Sequence, residues 1–444
     1  MIDAASLVDV RNGTQSKSIF WDERIYELEL ERIFDRCWLF LTHDSLIPNV
    51  GDFTTAIMGE DEVIVARQKD GSVKAFLNYC QHRGTRVTSV EAGNTRSFTC
   101  TYHGWSYGID GSLQAVPFEN EFYKGVLDKS THGLTEVRCE SYHGFWYGNF
   151  DKSAPSLYDY LGDYRFYMDV WVDSTGGAEL IGPPTRTLLN CNWKTPAENF
   201  VGDAYHVGWT HAASLSVLGG ELSALSGNKM VPPDGAGVQI TTRFGHGMGI
   251  LTNAGPALLS GPVGDMARKW YAENRLKVAE KLGKTRAGYY GSHFNSNVFP
   301  NNSYLWGTNT FKVWAPRGPR SIEVFTWGIV EKNMPDEIKE AVYDMATRTF
   351  GTAGMLEGDD ADNMESMTQL NRGRQIRKGR LNSQMGMGGD KIDEESGAII
   401  GASAVGETSY RGYYRAYREF LMAESWDDLL KADPDAWKRE FLGK

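Results

Sequence analysis

Cysteine is scarce in this chain of 444 residues, with five, at positions 37, 80, 100, 139 and 191. That is an odd number and too few for a disulfide framework. No run approaches the ~18 uninterrupted apolar residues that a membrane span needs. The opening MIDAASLVDVRNGTQ has no basic region followed by an apolar stretch, so no signal peptide is expected and the cytoplasm is the default compartment. Basic residues are outnumbered by acidic ones, for a formal net charge of -11. That balance opposes attraction to phosphate backbones and anionic lipid, so neither nucleic acid nor a membrane is expected as a partner. No G-x-G-x-x-G follows a predicted strand, which argues against nicotinamide or flavin binding by this chain itself. Internal repeats and low-complexity tracts are also missing.

Single cores stop growing at roughly 250 to 300 residues, so a chain of this length is expected to build at least two. Residues 22–38 (DERIYELELERIFDRCW) carry Ile25, Leu28, Leu30, Ile33, Phe34 and Trp38 near helical spacing and predict one amphipathic helix. From about 38 to 155 the pattern alternates apolar and polar, with Asp-Gly dipeptides at 70–71 and 110–111 as hairpin turns. This predicts a small antiparallel all-β domain. SAPSLYDYLGDY (153–164) reads as a linker. Beyond it, strands such as RTLLNCNWKT, GVQITTRFGHG and IEVFTWGIVEK mix with helices near 196–206, 265–282, 335–349 and 409–423. The expected class is α+β: the small β domain at 38–155, and a larger domain of 1–37 and 156–444 built on an antiparallel sheet surrounded by helices.

Two of the five cysteines fall in CQHRGTRVTSVEAGNTRSFTCTYHGW, where Cys80 and His82 are spaced C-x-H and, seventeen residues on, Cys100 and His103 are spaced C-x-x-H. A tetrahedral zinc is the plain reading of two Cys and two His. Zinc fingers, however, pair cysteine with cysteine and histidine with histidine in their short loops, whereas here each loop supplies one of each. A Rieske [2Fe-2S] cluster needs that arrangement, because one iron takes both cysteines and the other both histidines. Gly84 and Gly104 follow the histidines closely, where a bare backbone lets the loops close.

An electron relay needs an acceptor, and NFVGDAYHVGWTH supplies His206 and His211. If 199–206 is helical, Asn199, Asp203 and His206 share a face. His211 is then turned ~140° away at 100° per residue, so the helix must end or distort near Gly208. Two histidines and one carboxylate form the facial triad of iron(II) oxygenases. EGDDADNME offers Glu357, Asp359, Asp360, Asp362 and Glu365 as the carboxylate, and spacing does not choose among them; a solvated acidic surface is the bland alternative. His43, His132, His143 and His246 read as ordinary surface or hydrogen-bonded histidines.

With these motifs, CWLFLTHDSLIP (37–48), NWKTPAENFVGDAYHVGWTH (192–211), VFPNNS (298–303) and GETSYRGYYRAY (406–417), nearly the whole chain resembles the large (α) subunits of Rieske non-haem iron aromatic-ring-hydroxylating dioxygenases. The likeness is strongest to the naphthalene, biphenyl and polycyclic aromatic hydrocarbon group. The resemblance implies Asp360 as the third ligand of a mononuclear Fe(2+) with His206 and His211. It also implies Asp203 as a bridge between His206 and the cluster ligand His103 of a neighbouring subunit. Matching positions give a substrate pocket of Asn199, Phe200, Val207, Leu251, His293, Asn295, Leu305, Phe350 and Leu356. Leu356 stands where naphthalene enzymes tend to carry tryptophan, which implies a wider pocket. The implied reaction adds both atoms of O2 to an aromatic hydrocarbon, giving a cis-dihydrodiol. Electrons come from NAD(P)H through a reductase and a ferredoxin, and a small β subunit completes an α3β3 assembly, or α3 alone. Salicylate-type aromatic-acid monohydroxylases share both metal sites, and a Rieske carrier without catalysis is the reading from another class.

Overall fold

The structure, a computed structural model, describes residues 2–218, 237–252, 258–431 and 433–443. The chain divides into a unit of Phe34–Leu157 and a unit of Met1–Ile33 with Tyr158–Lys444.

In the smaller unit, seven antiparallel strands run in the order Leu39–His43, Phe145–Asn149, Glu136–Tyr142, Val73–Leu77, Asp61–Arg67, Asp52–Met58, Ala92–Asn94. A three-stranded sheet of Ser97–Thr99, Ser106–Gly108 and Leu113–Ala115 completes it. Both Asp-Gly dipeptides turn hairpins, with Gly71 and Gly111 in the left-handed region at φ 86° and 83°. Phe53, Ile64, Phe76, Phe98, Trp105 and Tyr107 form a core that also encloses Cys80 and Cys100.

The larger unit is built on nine antiparallel strands. Their order is Ala178–Leu189, Ile322–Glu331, Thr310–Pro316, Asn302–Trp306, His293–Val298, Gly247–Leu251, Gly237–Thr241, Ile399–Ile400, Lys391–Ile392. Every residue of Asn302–Trp306 and Thr310–Pro316 is buried, because helices cover what would otherwise be a solvent face. Four predicted helices are present, at Lys194–Phe200, Gly261–Leu282, Asp336–Phe350 and Thr408–Met422. The first is anchored from within: the Lys194 ammonium, wholly buried, meets Glu29 Oε1 at 2.6 Å, and Trp193 Nε1 donates to Glu29 Oε2 at 2.8 Å.

Three local expectations need correction. The helix expected over 22–38 covers Glu23–Glu29, capped by Asp22, and gives way to one wider turn over Leu30–Phe34 before the strand that starts at Leu39. The stretch read as a linker is not loose. It forms helix Leu157–Leu161 and a tight turn at Gly162–Tyr164, and Leu157, Tyr160, Leu161 and Tyr164 are all at most 1% exposed. Helix Met355–Asn371, which carries the acidic run, has no counterpart in the periodicity.

Candidate active site

The two Cys-His loops repeat one backbone design. Cys80 N–H donates to Thr85 O and Gly84 N–H to Cys80 O, at 2.8 and 2.9 Å; Cys100 N–H donates to Trp105 O and Gly104 N–H to Cys100 O, also at 2.8 and 2.9 Å. Gly84 and Gly104 both take positive φ, 75° and 74°. A Cβ there would lie 2.8 Å from the Tyr79 ring and from Pro117, so glycine is required twice over. The two imidazoles meet edge to face with centroids 4.6 Å apart, and Trp105 stacks on His82 at 4.9 Å.

His82 Nδ1 is buried with no hydrogen-bond partner, which suits an atom meant for a metal. Tyr107 accepts from Gln81 N–H at 3.1 Å, leaving its own hydrogen for Cys80 Sγ at 3.4 Å. Among the described residues these four donors do not gather into a group tight enough for one ion. A two-iron cluster divides its ligands between two metals and needs no single gathering of all four, and one cysteine with one histidine from each loop suits it.

His206, His211 and Asp360 do gather: their donor atoms lie within 4.8 Å of one another. His206 Nε2 and His211 Nε2 each stand 3.3 Å from Asp360 Oδ1, which is buried and accepts no hydrogen bond. On the far side of the rings, His206 Nδ1 meets Asp203 Oδ2 and His211 Nδ1 meets Asp359 Oδ2, both at 3.2 Å. A carboxylate only accepts, so each Nδ1 carries the hydrogen and each Nε2 turns a lone pair inward. Three acceptors then converge on one point, an arrangement that calls for a cation. The field here also favours positive charge: burial works against a charged His206, yet the carboxylates of Asp203 and Asp360 outweigh it and raise the ring's pKa well above its ordinary value, and a metal cation would take the place of that proton.

The backbone that delivers these ligands differs from expectation. The helix ends at Phe200, and the break falls at Gly202, φ 137°, before His206. Gly208 lies inside the short helix Val207–Thr210 that joins His206 to His211. The reason is close packing. A Cβ on Gly202 would lie 2.6 Å from Gly249 N, and one on Gly249 would lie 2.7 Å from Gly202 O, so the ligand loop rests directly on strand Gly247–Leu251.

Of the five candidate acids, Asp360 is the one within reach of both imidazoles. Asp359 orients His211 and accepts from Ser214 Oγ at 2.8 Å. Glu357 pairs with buried Lys312 at 3.0 Å, Glu365 accepts from Asn190 N–H, and Asp362 faces solvent. Sequence reasoning missed the orienting roles of Asp359, Ser214 and Tyr410, whose hydroxyl donates to Asp203 Oδ2 at 2.6 Å. The first is a candidate ligand turned aside; Ser214 lies outside any motif, and Tyr410 lies in the quoted segment 406–417, where nothing local ties it to Asp203.

Beside this triad opens a cavity of about 930 Å³, counting its mouth. Every position that the resemblance assigns to the pocket lines it, together with Leu215, Leu258, Gly307 and Thr308, which the sequence did not single out. Phe200, Val207, Leu251, Leu305, Phe350 and Leu356 make it predominantly apolar, and among the described residues no arginine or lysine lines it. Burial lowers the pKa of His293 to about 4, so this ring enters the wall as neutral imidazole. Asn295 Nδ2 donates to Asn199 O at 3.2 Å and to Asp203 O at 3.4 Å, fastening the wall to the ligand loop. His246, away from the cavity, is structural: Nε2–H donates to Tyr160 O and Nδ1 accepts from Phe299 N–H.

Residues 37–142 match the Rieske [2Fe-2S] domain, and residues 157–422 match the ring hydroxylating alpha subunit catalytic domain. The chain is 50% identical over 426 residues to the large oxygenase component of the naphthalene 1,2-dioxygenase system of Pseudomonas aeruginosa, covering 96% of this chain and 95% of that one. It is 45% identical to the large oxygenase component of the 2,4-dinitrotoluene dioxygenase system of a Burkholderia species, covering 96% and 94%. Its fold superposes on a solved naphthalene 1,2-dioxygenase with indole in the active site, at a TM-score of 0.95, 47% identity and 98% coverage of both chains.

Proposed function

This chain belongs to the ring-hydroxylating dioxygenase α subunits, with a Rieske [2Fe-2S] cluster and a mononuclear iron as cofactors, and from that membership we propose that its substrates are polycyclic aromatic hydrocarbons, three-ring members included. The observation that carries the substrate reading is the cavity: apolar, walled by Phe200, Phe350 and Leu356, and open to His206, His211 and Asp360. An aromatic acid would want a guanidinium or ammonium for its carboxylate, and the described wall offers none. Leucine at 356 widens the pocket relative to an enzyme with tryptophan there. The reaction consumes arene, O2, two electrons and two protons and yields a cis-dihydrodiol.

Cys80, His82, Cys100 and His103 hold the cluster, and His206, His211 and Asp360 hold the lone iron. When bound, these groups supply single-electron transfer and O2 activation. The rest falls to the protein. Asp203 and Asp359 fix the tautomers of His206 and His211 and keep both rings aimed. The apolar wall presents a ring face to the triad and keeps bulk water out. Asp203 remains ionised, because His206 and Tyr410 offset the cost of its burial. Its side chain keeps an exposed edge of 16%, and His103 is likewise exposed. Both features support a hydrogen bond from His103 of a neighbouring copy to Asp203.

The electron donors are a reductase and a ferredoxin drawing on NAD(P)H, and a small β subunit completes an α3β3 assembly. The names of the relatives, as large components of multicomponent systems, support this. No helix among the described residues is long and apolar enough to cross a membrane; the cytoplasm is the compartment that suits the reduced donors. The test is product analysis by the purified oxygenase with its redox partners on naphthalene, biphenyl, three- and four-ring arenes and salicylate. The expected products are cis-dihydrodiols bearing both atoms of isotopically labelled O2. Turnover of salicylate with failure on every hydrocarbon would overturn the reading.

A further inference from the structure

We propose that Lys312 is a positioning residue that sets the pocket wall against the metal ligand Asp360. It lies in strand Thr310–Pro316 with its side chain 0% exposed. Its Nζ meets three acceptors: Phe350 O at 2.8 Å, Thr326 Oγ1 at 3.0 Å and Glu357 Oε1 at 3.0 Å. An ammonium has three hydrogens, so all are used.

Each acceptor belongs to a different element. Thr326 is the cross-strand partner of Lys312. Phe350 ends helix Asp336–Phe350, whose last carbonyls have no partner inside the helix and carry its negative dipole end, where a cation is favoured. Glu357 lies in the first turn of helix Met355–Asn371, which has no side-chain cap. Asp360 follows Glu357 by three residues and so lies on the same face. One rigid point on the sheet therefore holds both ends of the turn between the two helices. At those two ends stand the wall residues Phe350 and Leu356 and, one helical turn on, the ligand itself.

Stability alone is a weak reason for this arrangement. Two buried charges lose so much solvation that apolar replacements of similar volume are often neutral or better. Burial indeed pushes the lysine pKa down and the glutamate pKa up. What an apolar pair would not reproduce is direction: three hydrogen bonds fix a carbonyl, a carboxylate and a strand in one geometry.

The inference rests on the proposed use of the adjacent cavity for arenes, and its test separates the two. The holoenzyme with its redox partners is given naphthalene. Hydrogen peroxide released per O2 consumed, loss of mononuclear iron to a chelator and the thermal midpoint are read for the wild type, Lys312→Met and the double variant Lys312→Met/Glu357→Leu. Lys312→Met should lose iron about tenfold faster and release several-fold more peroxide, with the cluster spectrum unchanged. The double variant, free of the stranded carboxylate, should regain the thermal midpoint but neither iron retention nor coupling. If the single variant does not fold, the double variant decides alone. A double variant equal to the wild type in iron retention and coupling overturns the proposal. Should the wild type leave naphthalene and larger arenes untouched, the substrate reading fails, and iron retention in the double variant still decides the role of Lys312.

Discussion

The two metal-binding regions are built on opposite principles. Around Cys80, His82, Cys100 and His103 the ligands come from two short loops with the same main-chain bonding, closed by Gly84 and Gly104. Backbone does the positioning, and it does so locally. Around His206, His211 and Asp360 the ligands come from segments some 150 residues apart. They are aimed by other side chains, namely Asp203, Asp359, Tyr410 and Ser214. A relay changes little as it works and is served by stiffness. A reaction centre must also shape a cavity and take part in proton and electron traffic, which requires side chains drawn from several elements.

The contrast can be tested by breaking each side separately. The largest effect is expected for Asp360→Ala, which removes a ligand: mononuclear iron is lost and turnover falls by a factor of at least ~10³. The cluster spectrum stays intact, since that site shares no ligand with this one; iron quantitation with reduced-state paramagnetic resonance checks it. Next comes Asp203→Asn, which keeps the shape but removes the charge beside His206. Both metals should remain bound while turnover drops about 10- to 100-fold, the range for partners of metal ligands, and an active, fully coupled variant would exclude the bridge.

A smaller change is expected for Leu356→Trp. It narrows the cavity, so kcat/KM for three-ring arenes falls by about tenfold, roughly 1.4 kcal/mol, with naphthalene nearly unaffected. The smallest is Tyr107→Phe. Loss of a hydrogen bond to Cys80 Sγ should lower the midpoint of the cluster by on the order of 30–60 mV, since ~59 mV is a tenfold change for a one-electron couple. Iron content should not change, and a midpoint unmoved in a redox titration would mean the hydroxyl serves only Gln81.

The same contrast decided what could be read before the fold was known. The cluster motif was legible because its donors sit in two short loops whose spacing already encodes the pairing of cysteine with histidine. The hairpins around it were legible for the same reason, through Asp70-Gly71 and Asp110-Gly111. His206 and His211 are visible as a pair, but spacing puts the break between them, near Gly208, because nothing local reveals that Gly202 must press against Gly249. Asp360 could not be separated by spacing from four neighbouring acids; it took the family likeness to choose it.

Helix Met355–Asn371 escaped detection for a physical reason. Its inward positions include Glu357, Asp360, Thr368 and Asn371 alongside Leu356 and Met364. Hydrophobic periodicity finds helices that bury oil, and this one buries charge. The pairings of Asp359 with His211 and Ser214, of Tyr410 with Asp203 and of Lys312 with Glu357 were silent in the sequence because each joins residues far apart along the chain.

The greasy lining of the cavity bears on how the enzyme clears itself between cycles. An arene enters because it leaves water gladly. Once two hydroxyl groups have been added, the guest prefers the solvent it came from, and a wall with few polar contacts cannot meet those hydroxyls fully. The chemistry thereby evicts its own product.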